Sequence, residues 1–210
     1  MPKALLLLSG GIDSPVAGHL IQKQKIAGKN IDVIAVHFSL EPFTNNSPEL
    51  KSITLAAIVG IKKLIVVTLG NEEAVIRKNC TDRFFYIITR RLMLRIAEII
   101  AKEENCSYLA TGDSVGQVGS QTLENLNVIT RAVSIPILRP LLTNTKNETI
   151  DIAKKIGTYN DSIGPEMCGV LGPKHPATTS KLAVILEEEK KINVEELLRS
   201  ALNTKRVVEL

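Results

Sequence analysis

The constraint that bears hardest on the fold lies at the start of the chain. Residues 4–8 form a short, unbroken apolar run, which breaks at Ser9-Gly10-Gly11. A run of that length without alternation fits a strand buried on both faces. A helix follows at once: Ser14 can cap it, Pro15 suits its first turn, and Val16, Leu20 and Ile21 form an apolar stripe. A two-sided buried strand leading directly into a helix is the opening unit of a sheet covered by helices.

The alternation continues. Residues 32–38, 63–68, 108–111 and 135–138 read as further strands. Helices are expected from Ser14 to near Gly28, over 48–60, as a turn after Gly70, over 84–104, near 121–126 and over 146–156. Two charged amphipathic helices, 180–191 and 194–203, close the chain. The pattern predicts an α/β fold: a Rossmann-like, open, mostly parallel five-stranded sheet with helices on both faces and right-handed crossovers. We divide it into a domain over 1–177 and a helical extension over 178–210 packed on that domain. Ligands of such sheets bind beyond the carboxyl ends of the strands. The segments to watch are therefore 9–14, 37–45, 112–121 and 139–146. The Pro- and Gly-rich stretch 164–176 lacks periodicity and reads as an ordered functional loop.

Composition narrows the class. Tryptophan is absent and aromatics make up 3% of the chain, so the core must be built on Leu, Ile, Val and Ala. The net charge of +4 permits contact with a polyanion without announcing one. Three cysteines, Cys80, Cys106 and Cys168, form no C-x-x-C pair, which argues against a disulfide framework or a structural zinc site. Free thiols and an N-terminal apolar run too short for a signal peptide or a membrane span predict a soluble, cytoplasmic protein.

Ser9-Gly10-Gly11-Ile12-Asp13-Ser14 is the chemical core of the sequence. Its glycines let the backbone curl around an anion, and the N–H groups of the helix start point at it. Ser9 and Ser14 add hydroxyls. Asp13 would repel a bare phosphate, so its presence suggests Mg²⁺ accompanying a nucleotide. The loop has no lysine, and it matches neither G-x-x-x-x-G-K-[ST] nor G-x-G-x-x-G. A bare Ser-Gly-Gly would be a tight strand-to-helix turn; the full six residues at the first such junction say more.

The loop resembles the S-G-G-x-D-S motif of the PP-loop ATP-pyrophosphatases, which cleave ATP to AMP and pyrophosphate while adenylating a substrate oxygen. Residues 111–123, Thr-Gly-Asp-Ser-Val-Gly-Gln-Val-Gly-Ser-Gln-Thr-Leu, resemble a signature of the 4-thiouridine tRNA sulfurtransferases within that superfamily. So do Leu138-Arg139-Pro140-Leu141, Lys146, Ile156-Gly157-Thr158-Tyr159 and Pro165-Glu166-Met167-Cys168-Gly169-Val170. The resemblance implies an ATP pocket formed by Leu7, Leu8, Ser9, Gly10, Gly11, Asp13, Ser14, His37, Phe38, Arg90, Gly112 and Gln121. It implies roles for Asp13 and Lys146 in catalysis and for Cys168 as the sulfur-accepting thiol. Arg139 and Arg91 are weaker candidates for phosphate or substrate contact, and Asp13 a weak one for Mg²⁺.

Members of that family also carry an RNA-binding region with a THUMP domain, and some a rhodanese-like domain that delivers sulfur. These 210 residues correspond to the catalytic domain without either. The expected partners are tRNA, a sulfur donor (a persulfide carrier or sulfide), and a separate RNA-binding subunit or a second copy of the chain. Either Cys80 or Cys106 could resolve a disulfide with Cys168. Two other functions remain open on the residues alone. One is a PP-loop ligase whose nucleophile is nitrogen; the other is an ATP-binding subunit that acts with a partner.

Overall fold

A computed structural model describes residues 1–115, 121–163 and 171–210. The chain begins with β1 (Lys3–Leu7) and α1 (Asp13–Lys23), followed by two-residue strands β2 (Lys25–Ile26) and β3 (Lys29–Asn30). Then come β4 (Asp32–Ser39), α2 (Ser47–Ile58), β5 (Lys63–Thr68), α3 (Gly70–Asn79) and the long α4 (Phe85–Glu103). β6 (Tyr108–Ala110), α5 (Leu123–Thr130), β7 (Ile137–Leu138), α6 (Lys146–Lys155) and α7 (Tyr159–Ser162) lead to the closing α8 (Leu182–Glu189), α9 (Val194–Asn203) and β8 (Arg206–Glu209).

The main sheet has the order β7-β6-β1-β4-β5-β8, parallel except for β8. β1 lies at its centre between β6 and β4, with Leu5 opposite Ile34 on one side and Leu109 on the other. The chain leaves β1 toward β4 on one side and later returns to β6 on the other, so strand order reverses beside β1. The loop after β1 therefore opens at the crevice where such sheets hold ligands.

Both faces of the sheet are buried, which is why its strands read as continuous apolar runs. Leu5, Ile34, Val36, Ile65 and Val67 point to the face covered by α4, α8 and α9, meeting Ile88, Leu92, Ile96, Ile100, Ile185 and Leu198. Ala4, Leu6, Val33, Ala35, Leu64 and Val66 point to the other face, meeting Val16, Ala17 and Ile21 of α1, Ala56 of α2 and Ala153 of α6. Each fully buried Leu or Ile contributes about 1.5–3 kcal/mol relative to exposure.

Several elements differ from the sequence expectation. The sheet gains a sixth strand: β8 runs antiparallel to β5, pairing Val207 with Ile65 and Val208 with Leu64. The terminal segment is thus not wholly helical. Ile185, Leu197, Leu198 and Ala201 from it share a core cluster with α4 and the sheet. Helix α1 ends at Lys23, not near Gly28, and a hairpin follows. Ala27 and Gly28 form its tip with φ of 49° and 75°, the positive values that a two-residue hairpin turn requires. α3 is a ten-residue helix where a single turn was expected.

Candidate functional site

Ser14 is the second residue of α1 and not its cap. Its hydroxyl accepts from the Ser9 N–H at 2.9 Å and donates to the Ser9 carbonyl at 3.1 Å. The Ser9 hydroxyl lies 3.1 Å from that of Ser14 and accepts from the Gly11 N–H at 3.3 Å. The two serines thus staple the ends of the loop together. The N-cap position falls on Ile12, which offers no side-chain acceptor. The start of α1 presents the positive end of a helix dipole, a terminus that attracts an anion. Asp13, half-buried, opens the helix.

The turn after β6 presses against that start. A Cβ at Gly112 would lie 2.8 Å from both the Asp13 carbonyl carbon and the Ser14 nitrogen. Only glycine permits this approach. Next to it, Asp113 is 2% exposed and accepts hydrogen bonds from Arg90, from Arg139 Nε at 3.0 Å and from Thr111 Oγ1 at 2.8 Å. Burial opposes its ionisation, but the Arg90 guanidinium, the Thr111 hydroxyl and Arg139 prevail and hold the carboxyl below its ordinary range. Arg139 is braced a second time, donating to Thr130 Oγ1 at 2.8 Å. Gln121 Oε1 accepts from the Ser114 N–H at 3.1 Å, and Ser114 Oγ donates to the Asn144 carbonyl at 3.1 Å. The turn after β6 is thereby tied to the segment before α6. That helix starts with a capping box between Thr145 and Glu148, which fixes the position of exposed Lys146 as its first residue. Among the described residues Lys146 makes no ion pair.

The ends of β1 and β4 divide their expected pocket residues between the two faces. Leu8 is buried on the α1 face, while Leu7 and Phe38 pack against the α4 face. His37 is 4% exposed, with Nδ1 3.1 Å from the Leu8 carbonyl and 2.9 Å from Ser52 Oγ. The carbonyl can only accept, and Ser52 donates its own hydrogen to Pro48, so Nδ1 carries the proton. Nε2 is then a bare acceptor, buried without a hydrogen-bond partner among the described residues. Burial outweighs the bond to Leu8 and keeps the imidazole below its ordinary pKa, hence neutral at pH 7. Ser52 is a support that its place in the sequence barely announces, and Thr111, the first residue of the 111–123 signature, serves by bonding Asp113. The one signal for Ser52 is a hydroxyl on the apolar side of α2.

One expectation needs correction: Arg91 was a weak candidate for phosphate or substrate contact, but it is 1% exposed. It donates to Glu189 Oε1 at 2.8 Å, to Glu189 Oε2 at 3.1 Å and to the Val128 carbonyl at 2.5 Å. One step along α4 turns a side chain by about 100°, which sends Arg90 to the turn after β6 and Arg91 inward. Burial pushes the Cys80 and Cys106 thiols each up to about 11. Cys106 also sits before β6, at the end of the sheet away from the loop. Cys168 lies outside the described residues. Among the described residues no three His, Cys, Asp or Glu side chains converge as a metal cage, and no helix is long and apolar enough to cross a membrane.

The family model for thiamine biosynthesis protein (ThiI) matches residues 1–194. The chain belongs to this family. It is 44% identical over 211 residues to a probable tRNA sulfurtransferase of Alkaliphilus oremlandii, a match covering 98% of this chain and 53% of that one. Among solved structures it superposes with a TM-score of 0.90 on a 4-thiouridine synthetase in complex with RNA and bound ATP, at 36% identity, covering 99% of this chain and 55% of that one. An NH3-dependent NAD synthetase from Campylobacter jejuni shares the fold alone, with TM-score 0.56 and 14% identity over 97% of this chain and 83% of that one. The chain spans about half the length of the ThiI relatives it matches.

Proposed function

We propose that this chain is the ATP-binding, catalytic part of a tRNA sulfurtransferase that forms 4-thiouridine in the cytoplasm. One observation carries the reading. The Ser9–Ser14 loop is stapled across the positive end of α1, and Gly112 packs the double-arginine cluster on Asp113 directly beside it. The bound ATP and RNA of the related 4-thiouridine synthetase support the same assignment.

In this reading ATP places its phosphates at the loop and its base near His37 and Phe38. Asp13 is the residue that would hold a Mg²⁺ accompanying the phosphates, and the ion's charge would offset theirs. The uridine carbonyl oxygen attacks the α-phosphate and pyrophosphate departs. Lys146, held at the start of α6, stabilises the charge that develops. The terminal sulfur of a Cys168 persulfide then attacks the activated base carbon. The C–O bond breaks and its electron pair leaves with AMP. A second thiol must cleave the remaining S–S bond to free the thiouridine, leaving a disulfide on Cys168. With Cys80 and Cys106 raised to about 11, we assign that thiol to the sulfur carrier. Grip on tRNA falls to a region or subunit beyond these residues, or to a second copy of the chain.

The test is mass spectrometry of tRNA nucleosides from cells lacking the protein, complemented with wild type or with Cys168→Ala. We expect 4-thiouridine to vanish, to return with wild type, and to stay absent with a Cys168→Ala protein that still binds ATP. Unchanged 4-thiouridine in the deletion would overturn the assignment.

A further inference from the structure

The phosphate loop contains no lysine, yet a lysine lies over it. Lys51, in the second turn of α2, lays its stem on Gly10, so that a Cβ at Gly10 would come within 3.0 Å of Lys51 Cδ and 3.6 Å of its Cβ. Its ammonium donates to the Ser162 carbonyl at 2.8 Å. That partner is a neutral oxygen. Among the described residues Lys51 forms no ion pair, and the nearby carboxylate of α2, Glu49, is taken up by Arg206. A half-buried cation is thus held beside an anion-binding loop without a countercharge of its own. Gly10 is what lets the stem lie so close.

Resting on the ATP-site reading above, we propose that Lys51 is the phosphate-chain lysine of this site, supplied by α2 in place of the loop. Its ammonium rests on the Ser162 carbonyl, a partner it can exchange. A phosphate oxygen carries negative charge and makes a stronger, charge-assisted hydrogen bond than a peptide carbonyl. Rotation about the outer bonds of the lysine stem moves the ammonium to the phosphates while the inner carbons stay on Gly10. Because its stem contacts Gly10 and not the far side of the pocket, Lys51 senses the phosphate chain and leaves the nucleoside to other groups.

Isothermal titration of the whole chain with ATP, and competition by adenosine, test this at fixed ionic strength. Lys51→Met should bind ATP about tenfold or more weakly, the loss of one charge-assisted contact, with adenosine affinity unchanged within about twofold. Lys51→Arg should recover most of the ATP affinity. ATP affinity left within about twofold of wild type in Lys51→Met, or an equal loss for ATP and adenosine, would overturn the proposal, the latter by making Lys51 a packing residue. If the wild-type chain binds adenosine no worse than ATP, the ATP-site reading itself fails and takes this role with it.

Discussion

Two neighbouring arginines of α4 belong to clusters of the same composition and opposite character. Arg90 shares Asp113 with Arg139, and Arg91 shares Glu189 with Arg95, so each cluster sets two guanidiniums on one carboxylate and keeps a net positive charge. Around Glu189 the inner arginine is fully engaged: Arg91 spends Nε, Nη1 and Nη2 on Glu189 and Val128 at 1% exposure, while Arg95, 21% exposed, adds Nη1 and Nη2 to the same carboxylate. Around Asp113 the arginine side chains stay 23% and 14% exposed, and Arg90 commits only Nη2 among the described residues. The first cluster clasps α8 to α4. The second holds unspent positive charge next to Gly112 and the Ser9–Ser14 loop. Spare donors and access to solvent, more than the presence of arginine, separate a binding group from a structural one.

Substitutions sharpen this contrast. The largest effect is expected for Glu189→Gln, which leaves Arg91 charged and without a carboxylate in the interior. Breaking such a pair costs about 3–5 kcal/mol, and Tm should fall by roughly 10 °C at about 2–4 °C per kcal/mol. Thermal melts would show it; ATP affinity measured well below Tm should hold. An intact Tm would break the comparison by making the inner cluster dispensable. Arg90→Ala should do the reverse. We expect ATP binding to weaken about tenfold, for the loss of one charge-assisted contact. Stability should change by less than about 1–2 kcal/mol, because the remaining Asp113 pair keeps Arg139. Titration against denaturant melts checks both.

The smallest effect concerns acid. Asp113 and Glu189 are each buried, which raises a carboxyl pKa, but their arginines more than reverse this and hold them below their ordinary values. A depressed carboxyl contributes stability that is present above its unfolded value, near 4, and lost as pH falls through the folded one. Wild-type stability should therefore decline below about pH 4. Denaturant melts of Glu189→Gln over that range should show a shallower slope, and an unchanged slope would place the acid sensitivity elsewhere.

Much of this was legible in the sequence because it rests on local rules. The apolar run of β1, the glycines of the loop and the strand–helix alternation depend on neighbours within a few residues, and they placed the Ser9–Ser14 loop after a central strand, where strand order reverses. What escaped depends on distant partners. Nothing near Arg91 signals that Glu189, 98 positions away, will claim it. Lys51 looks like any helix lysine until α2 is laid over Gly10. Ser14 was misassigned as a cap because the helix starts one residue earlier, at Asp13. β8 is short and carries charges at both ends, and only pairing with β5 makes a strand of Arg206–Glu209.

The hairpin formed by β2 and β3 has a practical corollary. Its tip, Ala27-Gly28, projects from the connection between α1 and β4, at the end of the sheet opposite the phosphate loop, and Lys25, Lys29 and Asn30 beside it are exposed. Exposed tips of this kind tolerate inserted sequence and are where proteases first nick a folded chain. A fluorophore or affinity handle placed there would sit well away from the Ser9–Ser14 loop and the Asp113 cluster.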